Sequence, residues 1–438
     1  MPELLTEVPE PIEPFRIIII GAGLGGVATA IGLRKAGHDV VLLERMLEFP
    51  NVSAGLHLSP NGCRALSQLG LLPSIENHAI PLEAITLRSY SDGSILRSLS
   101  LLPDMMVKYG MPYLAVHRFS VHKSLEDEAR AIGVQFEMGA MVLSIDFNAP
   151  AVVLKTGRII AGDLVIGSDG EGSQCRSLLL GRPDPPHHFG HLHRMFVCDI
   201  SQDVIRRHED LRDLLDAPDV PYWLGPASLC IGSITNSHGD FNLIGGLEEP
   251  ITEKVRNRPE VSDMMDIKDF YKNWDPKLRK LLDLAPFCLK WTLTTIPDLD
   301  EWTHPKGKFT LLGDSAHAMT PYLAQGASQC LEDAVVLSRL LSHAKHRSQI
   351  PNILKTYEGL RKPRVLKLKR RSEEMREMYC MKDGSIQEER DHQLRDHEPY
   401  SGYVIPWMDP DYQNWIYGYD AGKEADAAWK LYMDGKIL

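Results

Sequence analysis

Arg16-Ile17-Ile18-Ile19-Ile20-Gly21-Ala22-Gly23-Leu24-Gly25-Gly26 is the stretch on which the fold turns. Ile17 to Ile20 form a short, wholly apolar, β-branched run, which reads as a buried strand of a parallel sheet. Gly21, Gly23 and Gly26 follow with GxGxxG spacing. The first glycine permits a tight turn, the second lets a pyrophosphate approach the backbone, and the third lets helix and strand pack closely. Val27, Ala30, Ile31 and Leu33 continue as a helix, which Gly37 ends. Val40 to Leu43 reads as the next strand, with Glu44 at its end. Glu44 lies about 20 residues beyond the glycines, where a carboxylate accepts ribose hydroxyls and repels a 2′-phosphate. The stretch suits FAD or NAD over NADP, and alone it leaves those two even.

Two later glycine stretches break the tie. Gly167-Ser168-Asp169-Gly170 follows the apolar run that begins after Asp163. Leu312-Gly313-Asp314-Ser315 follows the buried strand Phe309 to Leu312. In this order and spacing, the three stretches select FAD.

Bulk properties narrow the class further. The 438 residues exceed one ordinary domain. A net charge of -11 argues against nucleic acid as a partner. The seven cysteines have no paired spacing, which suggests reduced thiols in a cytoplasmic compartment. No metal-ligand cluster is visible. No run reaches the roughly 18 apolar residues of a membrane span. Residues 1–14 are rich in Pro and Glu, lack the apolar core of a secretory signal, and read as a flexible tail.

The expected organisation is α/β: a Rossmann-type FAD-binding domain, an inserted mixed β-sheet substrate domain, and C-terminal helices. The FAD-binding part comprises residues 15–81, 116–186 and 297–381, the last including long helices. The substrate domain comprises strands in 82–115 and the segment 187–296. Residues 382–438 form a polar C-terminal segment with aromatics from Tyr400 onward. Asn61 is expected to start one helix and Ser120 to cap another. A helix is expected near Asp263 to Trp274, and others over about 326–343 and 351–381. Strands are expected at Ala84 to Tyr90, Ile95 to Leu102, Met195 to Ile200, Leu229 to Ile234, Phe241 to Leu247 and Leu289 to Thr295. The basic stretch Arg361 to Arg371 reads as a solvated helix face, with docking of a nicotinamide phosphate as the alternative.

These motifs, with Glu44-Arg45, Val116-His117-Arg118, Gly313-Asp314-Ser315-Ala316-His317-Ala318-Met319-Thr320-Pro321, Ala324-Gln325-Gly326-Ala327, Glu332-Asp333-Ala334 and Trp415 to Asp420, carry a resemblance. The chain resembles the flavoprotein aromatic hydroxylases, the single-component FAD monooxygenases of the para-hydroxybenzoate hydroxylase fold. Salicylate hydroxylase and 6-hydroxynicotinate 3-monooxygenase look nearest. The resemblance covers roughly residues 15 to 420.

The resemblance implies roles for individual residues. Gly21, Gly23, Leu24, Gly26, Glu44, Arg45, Gly55, Arg118, Asp169, Asp314 and Pro321 would contact FAD, and Val142 would offer backbone contacts to adenine. Ser173 and Arg176 are companions of Asp169. Gly326 and Ala327 would open a helix whose free N–H groups face the flavin pyrimidine. His57 would handle a phenolic proton, and Arg194 would hold a phenolate. Where the two nearest hydroxylases place a His and a Tyr, this chain has Leu229 and Ser233. Tyr222 and Trp223 are further candidates for the substrate pocket.

The implied reaction uses NADH or NADPH to reduce FAD, then O2 to form a flavin C4a-hydroperoxide that hydroxylates an aromatic or phenol-like molecule. Three alternatives stay open: epoxidation of an alkene or indole-like ring, a flavin dehydrogenase, and a flavin-bound regulatory protein. A monomer or homodimer is expected.

Overall fold

The structure, a computed structural model, describes residues 13–49, 54–187, 192–235, 240–249 and 259–435. The expected flexible tail lies outside the described residues, except for residues 13 and 14.

Two main sheets organise the chain. The first has five strands in the order Phe309–Leu311, Leu164–Gly167, Arg16–Ile20, Asp39–Glu44 and Gln135–Met138. All its pairings are parallel. Ile17, Ile18 and Ile19 are fully buried, as a strand covered on both faces requires. Helices Leu24–Lys35 and Gly326–Ser342 pack together beside this sheet. Gly32 allows their close approach, since a Cβ there would meet the Ser338 side chain at 2.5 Å.

The second sheet has eight strands in the order Glu260–Ser262, Cys288–Thr292, Leu192–Ser201, Asp240–Glu249, Ser228–Ile234, Asp219–Gly225, Ala84–Ser89 and Ile95–Ser100. Only Asp219–Gly225 and Ala84–Ser89 pair in parallel. Side-chain alternation gives this sheet two different faces. Phe196, Cys198, Trp223, Leu243 and Leu247 build a core with helices Met265–Phe270 and Pro276–Leu284 on one side. Met195, Tyr222, Leu224 and Leu229 point to the other side, toward the first sheet and the C-terminal aromatics.

Several local expectations are corrected. The helix expected from Asn61 starts one residue earlier, at Pro60, because proline suits the first helical position. Asn61 is instead a buried hydrogen-bonding residue. Ser120 is inside helix Arg118–Ala131, which follows the strand Leu114–His117 without a loop. Asp104–Tyr109 forms a helix within the segment expected to hold strands. The helix expected near Asp263 to Trp274 is shorter, Met265–Phe270, and a further helix, Pro276–Leu284, begins beyond it with Asp275 as its side-chain cap. The C-terminal segment contains helices Ser385–Asp396, Pro410–Tyr417 and Ala421–Met433. Its Trp407, Tyr412 and Tyr417 pack into the core beneath the second sheet.

The basic stretch is not a solvated face throughout. Arg361 is fully buried, and Arg364 and Lys369 are nearly so. Helix Ile350–Tyr379 carries the two arginines to the carboxylates of the neighbouring helix, Gly326–Ser342, and Lys369 to Asp298 at 2.8 Å. Arg361 pairs with Glu332 at 2.5 Å and with Asp333 at 2.7 Å, and Arg364 grips Glu332 at 2.8 Å.

Candidate active site

A crevice runs over the carboxyl ends of the central parallel strands, where ligands of such sheets bind. It has two compartments that share Gly23, Ser168 and Gly170. The outer one, ≈ 230 Å³, is lined by Gly21, Glu44, Arg45, Val142 and Asp169. The inner one, ≈ 400 Å³, runs from Leu24, Gly55 and Arg118, past Asp314, Pro321, Gly326 and Ala327, to the second sheet. The expected cofactor contacts thus line one continuous crevice, save Gly26, which acts from behind.

The glycine turn explains itself sterically. Gly21 has φ +102°, and a Cβ there would collide with the Ser168 carbonyl. A Cβ on Gly26 would collide with the Gly21 carbonyl, so the helix can approach the strand only as glycine. Gly23 and Gly326 have open space where a Cβ would stand, leaving backbone accessible to a ligand. The Glu44 carboxylate accepts N–H bonds from Ala22 at 3.0 Å and Met46 at 2.9 Å, which fixes it at the outer compartment. Asp169 accepts from the Gln174 and Cys175 N–H groups at 2.8 and 3.0 Å and from the Ser173 hydroxyl, so it also caps the following helix. Arg176 lies apart from the crevice, buried and paired with Asp184 at 2.7 Å.

Asp314 is exposed at the inner compartment. The turn that presents it is held from behind. Asp333 Oδ2 accepts the Gly313 N–H at 3.0 Å and faces His317 Nε2 at 2.6 Å, while Oδ1 accepts from Arg361 Nε at 2.7 Å. Burial alone would raise the Asp333 pKa, but the His317 and Arg361 charges hold it down at about 2. Glu332 lies beside it, held by both arginines, and Asn61 Nδ2 donates to it at 2.7 Å. The cluster ties the Asp314 turn to the helix that begins at Gly326. Glu332-Asp333 was visible in the sequence, but the arginines that neutralise it come from a helix beyond.

His57 sits on the short strand Gly55–Leu58. Its Nε2 is in hydrogen-bond contact with Ser233 Oγ at 3.3 Å on the cavity wall, and the Tyr113 ring meets its ring edge-on at 6.4 Å. Burial lowers its pKa to about 4, so the imidazole is neutral at physiological pH. Ser233, Leu229 and Tyr222 also line the inner compartment.

Two substrate-side expectations fail on strand alternation. Arg194 is opposite Leu247, on the helix-covered face, and its neighbour Met195 lines the cavity instead. Trp223 is fully buried on that same far face, where its Nε1 donates to Asp275 at 2.7 Å. Asn242 is a cavity residue the sequence reading missed. Its Oδ1 accepts the Gly55 N–H at 3.3 Å and its Nδ2 donates to Asp199 at 2.7 Å. The alternation in Phe241 to Leu247 places Asn242 opposite its apolar neighbours, which was the available signal.

Among the described residues, no helix is long and apolar enough to cross a membrane, and no cluster could hold a metal ion.

A glycine-lined crevice, an acidic anchor at its outer end and a helix N-terminus at its inner end define an FAD-binding oxidoreductase fold. Residues 15–204 and 300–372 match the family described as FAD binding domain. FAD-dependent monooxygenase OpS4 of Beauveria bassiana is 34% identical over 433 residues, covering 95% of this chain and 97% of the relative. A 3-amino-4-hydroxybenzoate 2-monooxygenase of Streptomyces platensis, PtmB3, is 31% identical, covering 93% of this chain and 96% of its own length. The fold matches a salicylate hydroxylase–substrate complex with a TM-score of 0.78 at 21% identity, covering 95% of this chain and 98% of that one. It matches CtdE in complex with FAD and a substrate with a TM-score of 0.80 at 19% identity, covering 96% and 100%. The chain belongs to the FAD-dependent monooxygenases of the aromatic hydroxylase type.

Proposed function

We propose that this protein hydroxylates a phenol-like small molecule with O2 and NADH or NADPH, in aromatic catabolism or secondary metabolism. The observation that carries this reading is the hydrogen-bonded pair His57–Ser233 on the wall of a largely apolar cavity that opens onto the glycine crevice. Residues 82–115 and 187–296 act as the substrate domain, and the rest of 15–381 as the FAD-binding domain. Free cysteines are in keeping with a cytoplasmic location, and the oligomeric state is proposed as monomer or homodimer.

FAD, when bound, supplies reduction by the nicotinamide and activation of oxygen. Glu44 holds the adenosine ribose, with Arg45 and the Val142 backbone nearby. Gly23 keeps the backbone open to the pyrophosphate, Gly21 and Gly26 make the close turn behind it, and Leu24, Gly55 and Asp169 line the path. Asp314 accepts hydrogen bonds from ribityl hydroxyls. Arg118 and Pro321 frame the flavin side. The N–H groups at Gly326 and Ala327 stabilise negative charge on the ring. Neutral His57 takes the phenolic proton, and Ser233 orients it. Burial makes His57 a weak base, so the developing imidazolium–phenolate pair must supply the driving force. Met195, Tyr222 and Leu229 exclude water from the reacting groups.

The test is the FAD-loaded enzyme with a panel of phenols, following NADH and NADPH oxidation and product mass. The expected result is ligand-stimulated oxidation with a gain of one oxygen atom. His57→Phe should retain flavin and lose roughly 10²–10⁴-fold in hydroxylation. Flavin that no ring compound stimulates overturns the reading.

A further inference from the structure

The strand register sorts the cavity wall of the second sheet into rows of different polarity. Asn242 is opposite Ser233 on one side and Asp199 on the other. Ser233 and Asn242 line the cavity, Asp199 continues the row outside it, and His57 meets the row at Ser233. Two residues further along each strand, Ile231 is opposite both Ile244 and Tyr222. Two residues further again come Leu229 and Met195, the latter opposite Gly246 and Trp291. Each step of two residues is about 7 Å, so the third row is about 13 Å from the first.

We propose that the substrate is a phenol-type ring carrying an extended apolar substituent, several carbons long or a second apolar ring. The inference rests on the aromatic hydroxylase reading and deepens it. The ring hydroxyl belongs at the first row, where His57 and Ser233 offer a hydrogen-bonding pair. A single ring spans about one row spacing and leaves the third row uncovered. The substituent therefore runs over Ile231 and Ile244 to Leu229, Met195 and Trp291. A polar group placed over Ile231, Ile244, Leu229 and Met195 would lose water without gaining an equivalent partner. An apolar one releases water from both surfaces.

The probe is a series of phenol, 4-methylphenol, 4-propylphenol and 4-pentylphenol, titrated into the FAD holoenzyme while the flavin absorbance is recorded. The dissociation constant should fall about fourfold per added methylene. Leu229→Gln should remove much of that gain for the propyl and pentyl members, and Ser233→Ala should weaken all members by a similar factor. Affinity that is flat or falls with chain length overturns the inference and leaves the hydroxylase reading standing. So does a chain-length gain that Leu229→Gln does not reduce. A flavin spectrum that no member perturbs overturns both.

Discussion

The two walls of the cavity are built on different principles. On the FAD side, glycines clear a path for backbone N–H groups, and a fully buried ion cluster holds the Asp314 turn and the Gly326 helix together. On the sheet side, the wall is made of side chains whose direction follows strand alternation, and polarity changes row by row. A backbone cradle is hard to alter without losing the ligand. A side-chain wall can be rewritten one residue at a time on the same fold. On the proposed reading, one half of the site fixes the cofactor and the other sets the substrate.

The sharpest way to break this comparison is at Asp333. Asp333→Ala leaves Arg361 buried beside a lost partner and frees the Gly313 N–H, at a cost of about 3–5 kcal/mol. Thermal unfolding and flavin content of the purified protein should both fall. Unchanged flavin content would separate the ion cluster from the cradle.

Asn242 joins the two walls, so Asn242→Ala tests whether they are aligned by that bond. It leaves the Gly55 N–H and Asp199 without this partner, costing about 1–3 kcal/mol. The expected signature is a raised KM with more peroxide released per NADH, at normal flavin content. An unchanged KM would show that strand Gly55–Leu58 is held by other contacts.

A third, smaller contrast tests the two faces of the sheet. Met195→Asn should weaken binding of an apolar ligand about tenfold. Arg194→Met, one residue away on the far face, should change ligand affinity by less than about threefold. Equal losses from both would contradict the assigned faces.

The last contrast is in pH dependence, on the FAD side, and is small at neutral pH. His38 is fully buried, stacks on Phe15 and has its pKa lowered to about 4 by burial. Between pH 6.5 and about 4, the unfolded chain takes up a proton that folded His38 refuses. Stability therefore falls as pH drops through that window. His38→Phe should lessen the dependence by up to one proton, read from denaturant midpoints across the range. His57 adds a similar share while the cavity is empty, which ligand binding should alter.

Legibility in the sequence follows the same division. The glycine turn could be read because its constraints are local: φ +102° at Gly21 and the collision at Gly26 arise within a few residues of the motif or against one neighbouring strand. Glu44 was readable for the same reason, at the end of a strand whose start is marked. Arg194 and Trp223 were misread because one residue of register reverses the face of a strand. The short segments around them carry no signal of which face meets the cavity. Arg361 and Arg364 read as surface charge because their partners, Glu332 and Asp333, lie about thirty residues earlier on another helix. The C-terminal aromatics read as a tail because their packing partners are on distant strands.

The sequence by itself determined a parallel sheet with a dinucleotide turn, FAD as its ligand and an inserted second sheet. The sheets and the turn rest on short-range backbone geometry and the period of apolar residues, and FAD rests on the order and spacing of the three glycine stretches and the family resemblance they carry. Only the tertiary structure decided which side chains of the second sheet meet the cavity, that Asn242 links the two walls, and that the basic helix is neutralised from within. These depend on pairing between residues far apart in the chain, where strand register and helix docking, rather than local propensity, set which groups share a space.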